Sequence, residues 1–226
     1  MKISIVIPAY NEEENIQRLL RGVHIVFRKN KYSGDIVVVN DCSTDKTLEI
    51  CTKLKKEIKN LKIVTHKKRS GKTAAILSGL KIIKSKYMIM IDADYQYDPR
   101  DIPKIAKKLN GYKLVSGWRI ERKDSFRRLF FSYFFNLIIK NLFGIKIHDI
   151  NCGLKGYATE MLRNIEFKFS GFFIDTELLA KIYKRGIDIT EVKIRHYPRK
   201  HNTSKINCIK TGIDTLINAI KLKFML

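Results

Sequence analysis

Apolar residues in the first half of the chain gather into short continuous runs, separated by stretches with helical spacing. Ile3-Ser4-Ile5-Val6-Ile7 reads as a buried strand closed by Pro8; Ile36 to Val39, Leu61 to Thr65, Tyr87 to Ile91 and Lys113 to Ser116 read as four more. Between the first two, Ile16, Leu19, Leu20, Val23 and Phe27 recur on one helical face, with Asn11 as N-cap and Glu14 at the capping-box position. Thr44 to Ile58 and Thr73 to Ile83 read as further helices, and Pro99 suits the first turn of another. Alternation of this kind predicts an α/β fold, Rossmann-like, with a mostly parallel sheet flanked by helices.

Past Trp118 the pattern changes. Phe126 to Lys140 is densely aromatic with Arg and Lys at its ends, and Ile206 to Leu226 sets Ile209, Ile213, Leu216, Ile217, Ile220 and Phe224 against Lys210, Lys221 and Lys223. Both read as amphipathic helices. They fit an interfacial position on a membrane, or for the first segment a place in the core. Neither approaches the roughly 18 uncharged apolar residues of a membrane span.

The 226 residues fit one domain, 1–226, with a substantial core. Lys and Arg number 45 against 22 Asp and Glu, a formal net charge of +23. That excess implies a polyanionic partner: nucleic acid, an anionic membrane surface or a phosphate-bearing substrate. The scattered cysteines (Cys42, Cys51, Cys152, Cys208) show no metal or C-x-x-C spacing and read as reduced, and no signal peptide precedes the first strand, so the expectation is a cytosolic chain.

The chemistry concentrates at strand ends. Asp92-Ala93-Asp94 leaves the Tyr87–Ile91 strand, the edge at which open α/β sheets bind ligands. Two carboxylates that close need compensation; a hard divalent cation, Mg²⁺ or Mn²⁺, serving a substrate phosphate supplies it, with Gln96 adding a neutral oxygen. Gly71-Lys72-Thr73 is not a P-loop, because His66 stands where that motif needs its first Gly; Lys72 remains a phosphate or base contact at a helix start. Tyr10, beside the first strand end, can stack on a base; Asp41, at the second, can accept from one, with Ser43 or Asp45 capping the next helix.

Taken in order, Ile7-Pro8-Ala9-Tyr10-Asn11-Glu12, Val39-Asn40-Asp41-Cys42-Ser43-Thr44-Asp45, Gly71-Lys72 with Ala75 and Gly79, and Asp92-Ala93-Asp94-Tyr95-Gln96 resemble the family 2 glycosyltransferases of GT-A fold. Gln96, Ser116-Gly117-Trp118-Arg119 and Glu191-Val192-Lys193-Ile194 followed by Arg199, Ser204 and Lys205 look closest to the enzymes that load mannose onto dolichyl or polyprenyl phosphate. The chain departs from that pattern at Asn40, where an acid is usual, at Cys42, Lys46 and Asn202, where Gly is usual, and at Trp118, where a small polar residue is usual. It resembles the compact form without C-terminal membrane helices.

The resemblance implies a nucleotide-sugar half, 1–117, and an acceptor and membrane-interface half, 118–226. The donor site takes Pro8, Tyr10, Glu12, Asp41, Lys72, Asp92 and Ala93, with Arg199 and Lys205 closing over the diphosphate. Asp92, Asp94 and Gln96 hold the cation, and Arg119, Arg128 and Ser132 hold the acceptor phosphate; Asp94, Arg119, Arg128 and Arg199 carry the catalysis. The implied reaction is inverting, metal-dependent transfer of a hexose, mannose from GDP-mannose, to a polyprenyl or dolichyl phosphate by a peripheral protein at the cytoplasmic face of the membrane. Nucleic acid is not a partner. The alternatives are a UDP-glucose donor, or a sugar-hydroxyl acceptor activated by Asp175 or Glu177 as general base. A basic binding protein without catalysis would have no use for the acidic motif.

Overall fold

The structure, a computed structural model, describes residues 1–120, 126–198 and 208–226. Strands β1 (Ile3–Ala9), β2 (Ile36–Asn40), β3 (Leu61–Thr65) and β4 (Tyr87–Ile91) alternate with helices α1 (Glu13–Lys29), α2 (Thr47–Glu57) and α3 (Gly71–Ile82). Then come α4 (Ile102–Lys108), β5 (Leu114–Ile120), α5 (Phe126–Phe143), β6 (Leu154–Ala158), α6 (Thr159–Arg163), α7 (Ile174–Lys184), β7 (Ile189–Arg195) and α8 (Cys208–Met225).

The seven strands form one sheet in the order β3-β2-β1-β4-β6-β5-β7. The β1, β2, β3 and β4 pairings are parallel, with Ile5 opposite both Ile36 and Ile89. β6 runs antiparallel between β4 and β5, and β7 pairs parallel with β5. The five strands expected from apolar runs are present. β1 continues through Pro8 to Ala9, since a proline near a strand's exit costs the ladder only one donor. β6 and β7 escape an apolar-run reading because one carries Lys155 and Gly156 and the other alternates charge along the sheet's edge.

Buried side chains fill both faces. Ile3, Ile5 and Ile7 meet Ile16, Leu19, Leu20 and Val23 of α1 on one side. Val6, Val37, Met88 and Met90 meet Ile76 of α3 and Leu178 and Ile182 of α7 on the other. The second face also receives Ile139 of α5 and Ala219 and Leu222 of α8, so those helices are partly core. Their outward sides are apolar as well. Phe130, Tyr133, Phe134, Leu137 and Ile138 of α5 and Ile213, Ile217, Ile220, Phe224 and Met225 of α8 are all exposed. Among the described residues, only Met1 and Ile25 are exposed large apolar side chains elsewhere. No helix among them is long and apolar enough to cross a membrane.

Candidate active site

The C-terminal ends of β1, β2 and β4 lie side by side, and β6 begins beside β4, so four loops converge on one edge. The entries to α1 and α2 are fastened to each other. Asn11, left-handed at φ 53°, bridges to Thr44, accepting from its amide at 2.8 Å rather than capping α1. Asp45 accepts from Thr47 N at 3.0 Å and from Glu13 N at 3.1 Å, serving both helix starts. Glu12 accepts from Asn15 Nδ2 at 2.9 Å, while its amide donates to Thr47 Oγ1. Tyr10 is half-buried, and the Arg69 guanidinium lies 4.2 Å from its ring centroid. Pro8 is half-buried at the end of β1.

The sequence expectation for Asp41 is a contact to a nucleotide base; in the structure its carboxylate sits at the start of α3. The amides of Ser70 and Gly71 donate to it at 2.8 Å each and His66 Nδ1 lies 2.7 Å away, so Asp41 caps α3 from the neighbouring strand. Burial pushes this carboxyl up, but the His66 bond and the two amides outweigh burial and hold it below the usual carboxylate range. His66 Nε2 in turn meets Ser78 Oγ at 2.9 Å.

Capping α3 places Lys72 in the site. Its ammonium lies 2.9 Å from Asp92 Oδ1 and 3.9 Å from Asp175 Oδ2. Burial opposes the charge on Lys72, yet Asp92 and Asp175 outweigh it and raise its proton affinity. Asp92 is raised too, by burial first and then by Asp94 and Asp175 against the pull of Lys72. Three carboxylates, Asp92, Asp94 and Asp175, stand with two ammoniums, Lys72 and Lys155, leaving a surplus of negative charge. A divalent cation relieves that surplus, so the residues fit one. Among the described residues no three His, Cys, Asp or Glu side chains converge to hold an ion alone. An ion on Asp92 and Asp94 would therefore complete its shell with substrate oxygens.

Gln96 is buried. Its amide side chain donates to the Tyr197 carbonyl at 3.2 Å and its backbone N–H to Asp94 Oδ1 at 3.1 Å, so it pins Tyr197 and shapes the acidic turn. Ala93 is buried beneath that turn. On the α1 side a cavity of about 250 Å³ opens, lined by Glu14, Arg18, Asp94, Tyr95, Arg100 and Tyr197 among others.

Sequence patterns missed the turn 149–153 that enters β6. Asp149 grips Arg119 with two bonds, 2.6 Å to Nε and 2.8 Å to Nη2, and both side chains are buried. Arg119, expected on the acceptor phosphate, thus has a fixed guanidinium plane. Glu191 holds the turn from β7, accepting from His148 N at 2.7 Å and Asp149 N at 3.1 Å. Lys155 is fully buried and donates to Ile150 O, Cys152 O and Asp175 Oδ1. Ser132 is half-buried on α5, and Arg128 belongs to the first turn of that helix, its side chain outside the described residues, as are Arg199 and Lys205. Glu177, one of two candidate bases for a hydroxyl acceptor, is fully buried and accepts from the amides of Lys168 and Phe169 and from Lys181. It is a structural anchor. Asp175, the other, is buried against the Lys155 ammonium at 2.6 Å.

This sheet, with acidic and basic groups gathered at its edge, defines an α/β protein with a charged binding edge. The family model described as Glycosyl transferase family 2 matches residues 4–166, and the chain belongs to that family. It is 29% identical over 215 residues to a dodecaprenyl-phosphate galacturonate synthase of Rhizobium johnstonii, covering 93% of this chain and 63% of the relative. It is 32% identical over 206 residues to an undecaprenyl-phosphate 4-deoxy-4-formamido-L-arabinose transferase of Pseudomonas fluorescens, covering 90% and 60%. The chain thus spans somewhat under two thirds of the length of these relatives. Among solved structures, glucosyl-3-phosphoglycerate synthase from Mycobacterium tuberculosis, in complex with Mn²⁺, UDP and phosphoglyceric acid, superposes with a TM-score of 0.80 at 18% identity, covering 98% of this chain and 78% of that one. That likeness establishes the GT-A fold.

Proposed function

We propose that this chain transfers a sugar from a nucleotide sugar to a polyprenyl phosphate while seated on a membrane surface. One observation carries the reading: nearly all the exposed large apolar side chains among the described residues lie on α5 and α8. A water-soluble acceptor gives no reason for that face; a lipid acceptor does. The face adjoins the site, because the turn Gly171–Phe173 touches both α3 and α8, and Thr73 donates to the Gly171 carbonyl at 2.9 Å. The relatives named for dodecaprenyl- and undecaprenyl-phosphate products support the same acceptor class. Basic side chains around the face favour anionic head groups on the cytoplasmic side.

Asp92 and Asp94, with Gln96 beside them, would hold Mg²⁺ or Mn²⁺, the latter present with UDP in the M. tuberculosis structure. Such an ion, when bound, neutralises charge on the leaving diphosphate. Lys72 adds an ammonium beside Asp92, and the resemblance assigns Arg199 and Lys205, outside the described residues, to the same group. Arg119, oriented by Asp149, would hold the acceptor phosphate, a role the resemblance also gives to Arg128 and Ser132. A phosphate monoester has its second pKa at about 6, so the nucleophile is anionic before it meets the protein and needs no general base. The engagement of Asp175 by Lys155, and of Glu177 by backbone amides, accords with that. In-line attack then inverts the anomeric carbon.

The sugar is less constrained than the acceptor. Mannose from GDP-mannose is one member of the class; the relatives' names carry galacturonate and formamido-arabinose. The test is a panel of labelled nucleotide sugars (GDP-mannose, UDP-glucose, UDP-galacturonate and a UDP-linked amino-arabinose) offered with undecaprenyl or dolichyl phosphate. Label extracted into organic solvent as a mild-acid-labile lipid supports the proposal. Label appearing only on a sugar hydroxyl overturns it.

A further inference from the structure

The turn 149–153 touches both sides of the proposed site. At one end Asp149 fixes Arg119. At the other, Gly153 lies against Asp92: its carbonyl accepts from Asp92 N at 3.1 Å, its N–H donates to Tyr97 Oη at 2.7 Å, and a Cβ on it would stand 1.9 Å from Asp92 Oδ2. Between those ends a single ammonium holds the turn. Lys155 Nζ donates to Ile150 O at 2.8 Å and Cys152 O at 2.6 Å. Its remaining bond, to Asp175 Oδ1 at 2.6 Å, leads through the other carboxylate oxygen to Lys72 and back to Asp92. The contacts close a ring: Asp92, Gly153, the turn, Lys155, Asp175, Lys72, Asp92.

From this ring we infer that Lys155 is a positioning residue for donor and acceptor together, setting Asp92 and Arg119 through one backbone turn. The inference rests on the function proposed above, which makes Asp92 a donor contact and Arg119 an acceptor contact. A fully buried ammonium is costly to desolvate, and one kept only for packing could be replaced by an apolar chain of similar length. Here every proton of the ammonium is committed to the turn or to the helix behind Lys72, so removing it frees the turn at its middle and leaves Asp175 to draw Lys72 away from Asp92.

The experiment is calorimetric titration of the folded protein with two probes, UDP in the presence of Mn²⁺ and farnesyl phosphate in detergent, without turnover. Asp149→Asn should weaken farnesyl phosphate alone, and Gly153→Ala should weaken UDP alone. Lys155→Met should weaken both, by about tenfold each, the usual scale for a group supporting the ligating residues. Should Lys155→Met fail to fold, Lys155→Met/Asp175→Asn carries the test, because it leaves no unpaired buried charge. A folded Lys155 variant with a lowered Tm but wild-type affinity for either probe overturns the inference. A wild type that binds both probes yet transfers no sugar overturns the proposed function and leaves the inference standing. A wild type that fails to bind either probe overturns both.

Discussion

The Lys72 ammonium sits 2.9 Å from Asp92 Oδ1, so the acidic turn carries its own cation before any substrate arrives. Under the proposed function Lys72 would both balance the carboxylates and contact the donor diphosphate. Lys72→Met removes a charge-assisted contact to a bound diphosphate, which costs about 1.5–3 kcal/mol. Nucleoside diphosphate affinity should fall by roughly ten- to a hundredfold with the far-UV spectrum unchanged. Undiminished affinity by calorimetry would show that Lys72 serves only to neutralise Asp92.

Surplus negative charge at Asp92, Asp94 and Asp175 sets the second expectation. Chelation with EDTA should abolish transfer, and Mg²⁺ or Mn²⁺ should restore it. Asp94→Ala should be inactive yet melt within ~2 °C of wild type, because the Asp94 bond to Gln96 N is partly exposed. Activity of Asp94→Ala in the presence of chelator would remove the cation from the scheme.

The apolar face of α5 and α8 gives the third. Phe130 and Phe134 are exposed, with ring centroids 4.7 Å apart, and Ile217 is exposed on α8. Changing all three to Ser removes burial worth ~1.5–3 kcal/mol each if the face enters a bilayer. Co-sedimentation with phosphatidylglycerol-containing vesicles should fall on the order of tenfold or more, while Tm holds. Loss of Tm with vesicle binding intact would place these side chains in the fold's own packing.

Asp41 supplies a test in pH. Its folded proton affinity lies below the unfolded value of about 3.9, so the stability it confers is complete above that pH and is lost as pH falls through the lower folded value. Asp41→Asn, which also turns an amide group toward the Ser70 and Gly71 N–H groups, should cost about 1–2 kcal/mol at pH 7. That corresponds to a Tm lower by roughly 2–8 °C. The gap between the two proteins should shrink once pH drops below about 4. A Tm difference that stays constant from pH 7 to pH 3 would contradict the cap.

Much of the sheet was legible because parallel strands buried on both faces read as unbroken apolar runs, as Ile36 to Asn40 and Tyr87 to Ile91 do. Asp92, Asp94 and Lys72 were legible for a related reason: each stands where such a strand or its following helix meets the binding edge. β6 was not, because a fully buried lysine inverts the rule that charged side chains face water. Its pairing partner lies 20 residues on, in a helix whose nearness depends on topology alone. Asp149 and Arg119 likewise stand 30 residues apart and meet only because β6 enters the sheet beside β5. His66 is hidden for the same reason, since its link to Asp41 joins loops after different strands.

The place of β6 in the sheet also orders events during synthesis. β4 and β5 are made first, yet in the finished sheet they are not neighbours; the strand between them leaves the ribosome some three dozen residues after β5 ends. A nascent chain that has emerged only through β5 exposes two apolar strand edges whose order in the sequence invites direct pairing. That mistake would shut out the turn on which Asp92 and Arg119 both depend. The last strand of the three to appear goes into the middle, and it carries a charge that only the assembled site can satisfy.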